Sequence, residues 1–156
     1  MPLSTTIRPA EPGDLPAIRA IAEAAYRPYV ARNGLEPAPL HEDYAARLTA
    51  GQLWVMLAEN APGHEDACGF IVLIEAEDHL LLDNLAVAPQ AQGQGHGRAL
   101  LDFAESYAQW AKLPRIRLYT QEIMAENIAI YSARGYAQTH RASEAGLCRV
   151  YMEKRL

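Results

Sequence analysis

Hydrophobic positions along the chain switch between two spacings, and the switches mark its elements. Residues 5–8 read as a short opening strand. Pro12-Gly13-Asp14 then turns the chain, with Asp14 a candidate helix cap. Ile18, Ile21, Ala22, Ala25, Tyr26 and Tyr29 recur at helical spacing, which predicts a helix with one apolar face; Pro28 inside it is expected to kink or end it. Pro37 and Pro39 mark a loop, and a second short helix is expected over 42–49. Apolar runs at 53–58, 68–74 and 80–87 are strand-like. They are separated by expected turns at 60–66, around Pro62 and Gly63, and at 75–78, which suggests an antiparallel meander.

Beyond residue 95 the period returns to 3.6. Leu100, Leu101, Ala104, Tyr107 and Ala111 form the stripe of a helix over 95–110 that Pro114 ends. Ile116, Leu118 and Thr120 open another strand. Residues 126–134 form a short helix, closed by Gly135 at a position suited to a left-handed cap. Two last strands fall around 136–139 and 147–153. The sum is a mixed α/β (α+β) domain with a mostly antiparallel sheet.

Composition adds a bound on size. A chain of 156 residues, half of them hydrophobic, fits one domain over 1–156. At this length about 68–70% of the unfolded surface is buried, so no disulfide or metal staple is needed. Fourteen basic against 19 acidic residues leave a net charge of −5, which argues against a general nucleic-acid binder. Cys68 and Cys148 stand at no metal-ligand spacing, form no C-x-x-C, and are expected as small buried hydrophobes, so no metal is expected. No basic-then-apolar leader is visible near Met1, and the longest apolar run is too short to cross a bilayer. The expectation is a cytoplasmic protein with neither a membrane nor a nucleic-acid partner.

The informative segment is Leu80-Leu81-Leu82-Asp83-Asn84-Leu85-Ala86-Val87-Ala88-Pro89-Gln90-Ala91-Gln92-Gly93-Gln94-Gly95-His96-Gly97-Arg98. An apolar strand runs into a loop with glycines at alternate positions, and a helix starts at once. Exposed N–H groups at a helix start, helped by about half a positive charge from the helix dipole, cradle anions. Glycines let a phosphate approach without meeting a Cβ. The residues therefore read as a phosphate or pyrophosphate site. A P-loop would need Lys and Ser/Thr where Arg98 and Ala99 stand. The dinucleotide fingerprint needs G-x-G-x-x-G and a parallel βαβ unit, which the meander does not supply, although Glu122 lies near the place of a ribose-binding acid.

These residues resemble a family. Leu85-Ala86-Val87-x-Pro89-x-x-Gln92-Gly93-x-Gly95-x-Gly97-x-x-Leu100-Leu101 looks like the acetyl-CoA pyrophosphate motif of the GNAT superfamily of N-acetyltransferases. Asn127-Ile128-Ala129-Ile130-Tyr131-Ser132-Ala133-Arg134-Gly135-Tyr136 resembles its second motif, in the expected order. The resemblance implies a central sheet of six to seven strands flanked by about four helices. It also implies acetyl-CoA as co-substrate, a primary amine, more readily of a small molecule than of a protein, as acceptor, and a homodimer as a candidate assembly. Leu85, Ala86 and Val87 would meet the pantetheine arm. Gln92, Gly93, Gln94, Gly95, His96, Gly97 and Arg98 would hold the pyrophosphate, mostly through backbone amides, since Gln92 replaces the commoner Arg. Two central strands are expected to splay after Val87.

Direct attack on the thioester needs a neutral amine, and a lysine-like amine, with a pKa near 10.4, is neutral at pH 7 only on the order of 0.1% of the time. The resemblance implies Tyr131 as general acid to the leaving thiolate and Asn127 as a cofactor contact. Both could instead be structural, a core tyrosine and a helix cap. Asp83, alternating with Leu81 and Leu85, is the candidate base, ahead of Glu75, Glu122 or a water. His96 is expected to face solvent. Tyr26 and Tyr29, near Arg32 and Tyr44, are candidate acceptor-site residues or core; Arg141 and Glu144 lie in the second framing region. A non-catalytic acyl-CoA-binding sensor or scaffold remains the alternative to an acetyltransferase.

Overall fold

The computed structural model describes residues 5–34, 36–61, 64–144 and 146–156. The expected turn residues Pro62 and Gly63 and the side chain of Glu144 lie outside the described residues. Seven strands form one sheet: β1 (Thr5–Pro9), β2 (Leu53–Ala61), β3 (His64–Glu75), β4 (Leu80–Val87), β5 (Arg115–Gln121), β6 (Ala137–Glu144) and β7 (Leu147–Arg155). Their order is β1-β2-β3-β4-β5-β7-β6, antiparallel throughout except for the parallel β4–β5 pair. The helices are α1 (Leu15–Asn33), α2 (Tyr44–Thr49), α3 (His96–Trp110) and α4 (Ala125–Ala133). The expected mixed sheet and helix number are both present. Among the described residues, no helix is long and apolar enough to cross a membrane.

The near-continuous apolar run in β3 has its cause in layering. Phe70, Ile71, Val72 and Leu73 are all buried because both faces of the strand are covered. On one face Tyr44 of α2 meets Phe70 edge-on at 5.2 Å, and Tyr26 of α1 reaches β4. On the other, Trp54 packs against Phe103 and Tyr107 of α3. Leu100, Leu101, Ile116, Leu118 and Met152 complete the core.

Several expectations are corrected. Pro28 sits inside α1 without ending it. A proline there leaves the carbonyl four residues back without its helical donor, but Ala24 and Pro28 are both exposed, so water can take that place. Asp14 does not cap α1; its carboxylate takes the Glu11 N–H at 2.7 Å and pairs with Arg8 at 2.8 Å. The cap that does form is Asp43, accepting from Ala46 N at 3.1 Å to start α2. Strand pairing also continues through the expected 60–66 turn as far as Ala61↔His64, because ladder hydrogen bonds are made by the main chain whatever the side chains. Cys68 is buried as expected, but Cys148 is half-exposed beside Glu122, whose hydrogen bond pushes its thiol pKa up.

The feature that opens the sheet is one extra residue. β3 and β4 pair as Val72↔Asn84 and then Leu73↔Leu82, so Asp83 has no partner across the strand. Such a bulge bends its strand and ends regular pairing. The β4–β5 ladder stops at that point, at Leu82↔Leu118. Beyond it β4 stays with β3 and β5 stays with β7, as far as Gln121↔Arg149. The splay therefore begins at Asp83, not after Val87 as the motif reading expected.

Candidate active site

The splay exposes main-chain groups. Ala88 N donates to Cys68 O at 2.8 Å, so even-numbered residues at this end of β4 face β3. The odd ones, Leu85 and Val87, point their N–H and C=O toward the gap. Their carbonyls are already engaged there: Tyr26 Oη lies 2.8 Å from Leu85 O, and Gln92 Nε2 donates to Val87 O at 3.1 Å. The two N–H groups are the donors left facing the gap.

Past β4 the chain makes a short 3-10 turn (Pro89–Ala91) and enters the glycine loop. Gly93 and Gly95 hold φ of +81° and +84°, the left-handed region that costs other residues about 1–2 kcal/mol. A Cβ at either would meet nothing in the protein. The first helical bond of α3 runs from Ala99 N to Gly95 O at 3.0 Å, and no side chain caps the helix. Among the described residues, no backbone acceptor outside the helix takes an amide of residues 93–98. An anion is the natural partner for such a row.

Beside this row runs a cleft of about 620 Å³. Its walls bring together most of the residues expected to hold the cofactor: Leu85, Ala86, Val87, Gln92, Gly93, Gly95, His96, Gly97, Arg98, Asn127 and Tyr131. Gln94 is exposed and outside the wall, leaving only its amide for a ligand. His96 is not the solvent-facing residue expected: it is buried, with Nε2 unpartnered among the described residues, because α3 starts at it and turns its ring inward.

A second chamber, about 40 Å³, lies on the other side of the splay, between β4 and β5, lined in part by Asp83, Tyr119, Gln121 and Met124. Tyr26, Leu85, Asn127 and Tyr131 line both spaces and so form the partition. The Tyr131 hydroxyl hydrogen-bonds to none of the described residues, and burial raises its pKa to about 12. Its backbone is fixed by the end of α4. Tyr136 N donates to Tyr131 O at 3.0 Å and Gly135 N to Ser132 O at 3.1 Å, with Gly135 at φ +97° and the two tyrosine rings edge-on at 5.8 Å. This is the paired-bond helix ending that a left-handed glycine permits. The Tyr131-x-x-x-Gly135-Tyr136 spacing thus has a structural cause. Asn127 is not the cap of α4; Met124 holds that place, and Asn127 Nδ2 lies 3.7 Å from its Sδ.

Asp83 is largely buried, and burial raises its carboxyl pKa, with nearby Glu42 adding to the effect and Arg47, 3.9 Å away, opposing it. Neither other candidate base reaches this place. Glu75 takes the Tyr107 hydroxyl at 2.6 Å at the far end of β3, and Glu122 pairs with Arg141 at 3.0 Å in solvent. Tyr26 is both core and wall: its hydroxyl lies 2.7 Å from Asn84 Oδ1, while Asn84 Nδ2 donates to Tyr44 Oη at 2.8 Å. Tyr29 donates to Glu126 across the cleft mouth, under the Arg32 guanidinium at 4.6 Å. Among the described residues, no group of His, Cys, Asp and Glu could hold a metal ion.

The arrangement coincides with known proteins. A family model described as an acetyltransferase (GNAT) domain matches residues 49–138, more than half of the chain. The chain belongs to the GNAT acetyltransferase family. No curated protein matches it in sequence. Among solved structures, a GCN5-related N-acetyltransferase from Rhodopseudomonas palustris shares 26% identity at a TM-score of 0.76, over 100% of this chain and 99% of that one. The PaiA N-acetyltransferase of Thermoplasma acidophilum, solved with coenzyme A, shares 18% identity at 0.78, over 98% and 99%. The ribosomal-protein-S18-alanine N-acetyltransferase of Escherichia coli shares 21% at 0.73, over 97% and 94%. As a GNAT protein the chain is an N-acetyltransferase, which favours the enzyme over the binding module.

Proposed function

We propose that residues 1–156, acting as one domain in the cytoplasm, move an acetyl group from acetyl-CoA to a primary amine of a small molecule by direct attack in a ternary complex. The observation that carries this is the row of unpaired amides at residues 93–98, opening on a cleft that ends at Tyr131. Those amides and Arg98, which forms no ion pair among the described residues, fit a pyrophosphate in number, sign and clearance. Acetyl-CoA supplies the acetyl group on an activated thioester; the chain's residues do the rest.

The Leu85 and Val87 N–H groups face the gap and would steady the carbonyl oxygen as it gains charge, where one aimed donor is worth about 2.7–4 kcal/mol. Tyr131 stays protonated through the physiological range. Its raised pKa exceeds that of a thiol, about 8.5, so it serves the departing sulfur as a hydrogen-bond donor and does not surrender its proton beforehand. Asp83, across the partition, takes the proton that the amine must lose, and its raised pKa suits that task.

The test is Tyr131→Phe, read by free-thiol release with an amine panel and by calorimetry with coenzyme A. Turnover should fall about 100-fold, as the loss of one donor aimed at developing charge does, with coenzyme A affinity within twofold of the parent. Unchanged turnover would remove Tyr131 from the reaction.

A further inference from the structure

One group in the chamber is left unused by this chemistry. Gln121, the last residue of β5, is 4% exposed, and its buried Oε1 has no hydrogen-bond partner among the described residues. Leaving a buried polar group unmet costs about 1–3 kcal/mol, so a partner that arrives from outside explains its presence. Its neighbours are already occupied. Tyr119 donates to Asp83, Met124 N donates to the main-chain carbonyl of Gln121 at 2.9 Å, and Thr120 Oγ1 donates to Met124 Sδ at 3.6 Å.

Beside the Tyr131 hydroxyl and the Asn127 amide, the chamber wall holds two acceptors, the Asp83 carboxylate and the Gln121 Oε1. Two cations already stand near Asp83: Arg47, 3.9 Å away and shared with Glu42 and Gln52, and Arg149, over the Tyr119 ring at 4.6 Å. An ammonium group, with three N–H donors, suits this wall. Size narrows the choice further. One water needs at least about 10–15 Å³ of such volume, so about 40 Å³ holds an aminomethyl end and little more. A carboxylate on the same carbon would bring a second negative charge beside Asp83.

Resting on the acetyl-transfer reading above, we propose that Gln121 selects the acceptor: with Asp83 it receives the ammonium of an unbranched primary amine that carries no carboxylate next to it. Gln121 thus touches the substrate and sets its class.

The experiment compares 1-aminobutane, 2-aminobutane and glycine by thiol release from acetyl-CoA with the full chain. For 1-aminobutane kcat/KM should exceed the other two by tenfold or more. Gln121→Leu should raise KM for 1-aminobutane about tenfold, more than it lowers kcat, while coenzyme A still binds with parental affinity. Gln121→Glu, which keeps an acceptor, should hold KM at or below the parent value. Turnover confined to or favouring glycine or 2-aminobutane overturns this inference and leaves acetyl transfer standing. So does a KM unmoved in Gln121→Leu, or raised as far in Gln121→Glu. Thiol release with none of the three amines, while coenzyme A binds, overturns the acetyl-transfer reading and this inference with it.

Discussion

The two sides of the splay are built from different material. The cofactor cleft is lined at its anion end by main chain: amides of residues 93–98, made approachable by glycines at φ near +80°. The acceptor chamber is lined by side chains gathered from β4, β5 and α4, with Asp83, Gln121 and Tyr131 far apart in sequence. A main-chain site asks for particular backbone angles, which only certain residues supply, and it keeps its shape whatever the neighbouring side chains are. A side-chain site can change its ligand by one substitution without disturbing the sheet. One protein can thus hold a fixed donor and a variable acceptor in adjoining spaces.

Three substitutions probe this contrast, in falling order of effect. The largest belongs to the main-chain side. Gly95→Val forces a β-branched residue to φ +84° and puts a side chain into the cradle. Strain of about 1–3 kcal/mol plus lost amide contacts should weaken coenzyme A binding by about 100-fold or more in calorimetry. Parental affinity would break the contrast at its root.

Next comes Asp83→Asn on the side-chain side. It should lower kcat about tenfold or more, at the modest end of what a positioned base contributes, and leave coenzyme A affinity alone. Its effect on stability has the opposite sign. Burial raises the Asp83 pKa, so the folded chain holds that proton more tightly than the unfolded chain does. The ionised carboxylate therefore subtracts stability as pH rises through the carboxylate range, and asparagine removes the subtraction. At pH 7 the variant should melt at or above the parent temperature in a thermal scan. A clear drop in Tm would show that Asp83 is kept for folding.

The smallest effect sits where the two materials meet. A Cβ on Gly69 would stand 2.9 Å from Ala86 O and 3.3 Å from Leu100 Cδ1. Gly69→Ala should destabilise the fold by about 1–3 kcal/mol in denaturant titration, as overpacking does. Because the strained contact is with β4 itself, kcat should fall as well.

The same contrast explains what could be read from the chain alone. The glycine loop was legible because Gly93, Gly95 and Gly97 answer a backbone need that no other residue meets as well. The Tyr131-to-Tyr136 pattern was legible because a helix ending dictates it. The elements around both were legible through their apolar periods, as in α3. The bulge at Asp83 left no mark, since burial alternates through residues 80–86 and only pairing with β3 reveals the extra residue. That concealment put the expected opening of the sheet at Val87, too far along. The burial of His96 is hidden in the sequence because its neighbours in the loop are exposed and nothing local shows which way the first turn of α3 faces. Gln121 ends an alternating strand, where an outward polar residue is the ordinary expectation; its burial depends on α4 and β4 arriving from elsewhere.

The extra residue at position 83 has a wider consequence. Past it, the outer edge of β4 no longer serves the sheet: Tyr26 and Gln92 satisfy its two carbonyls, and its two N–H groups are free to serve a visitor. A strand that is half structure and half binding surface lets one stretch of main chain do both jobs.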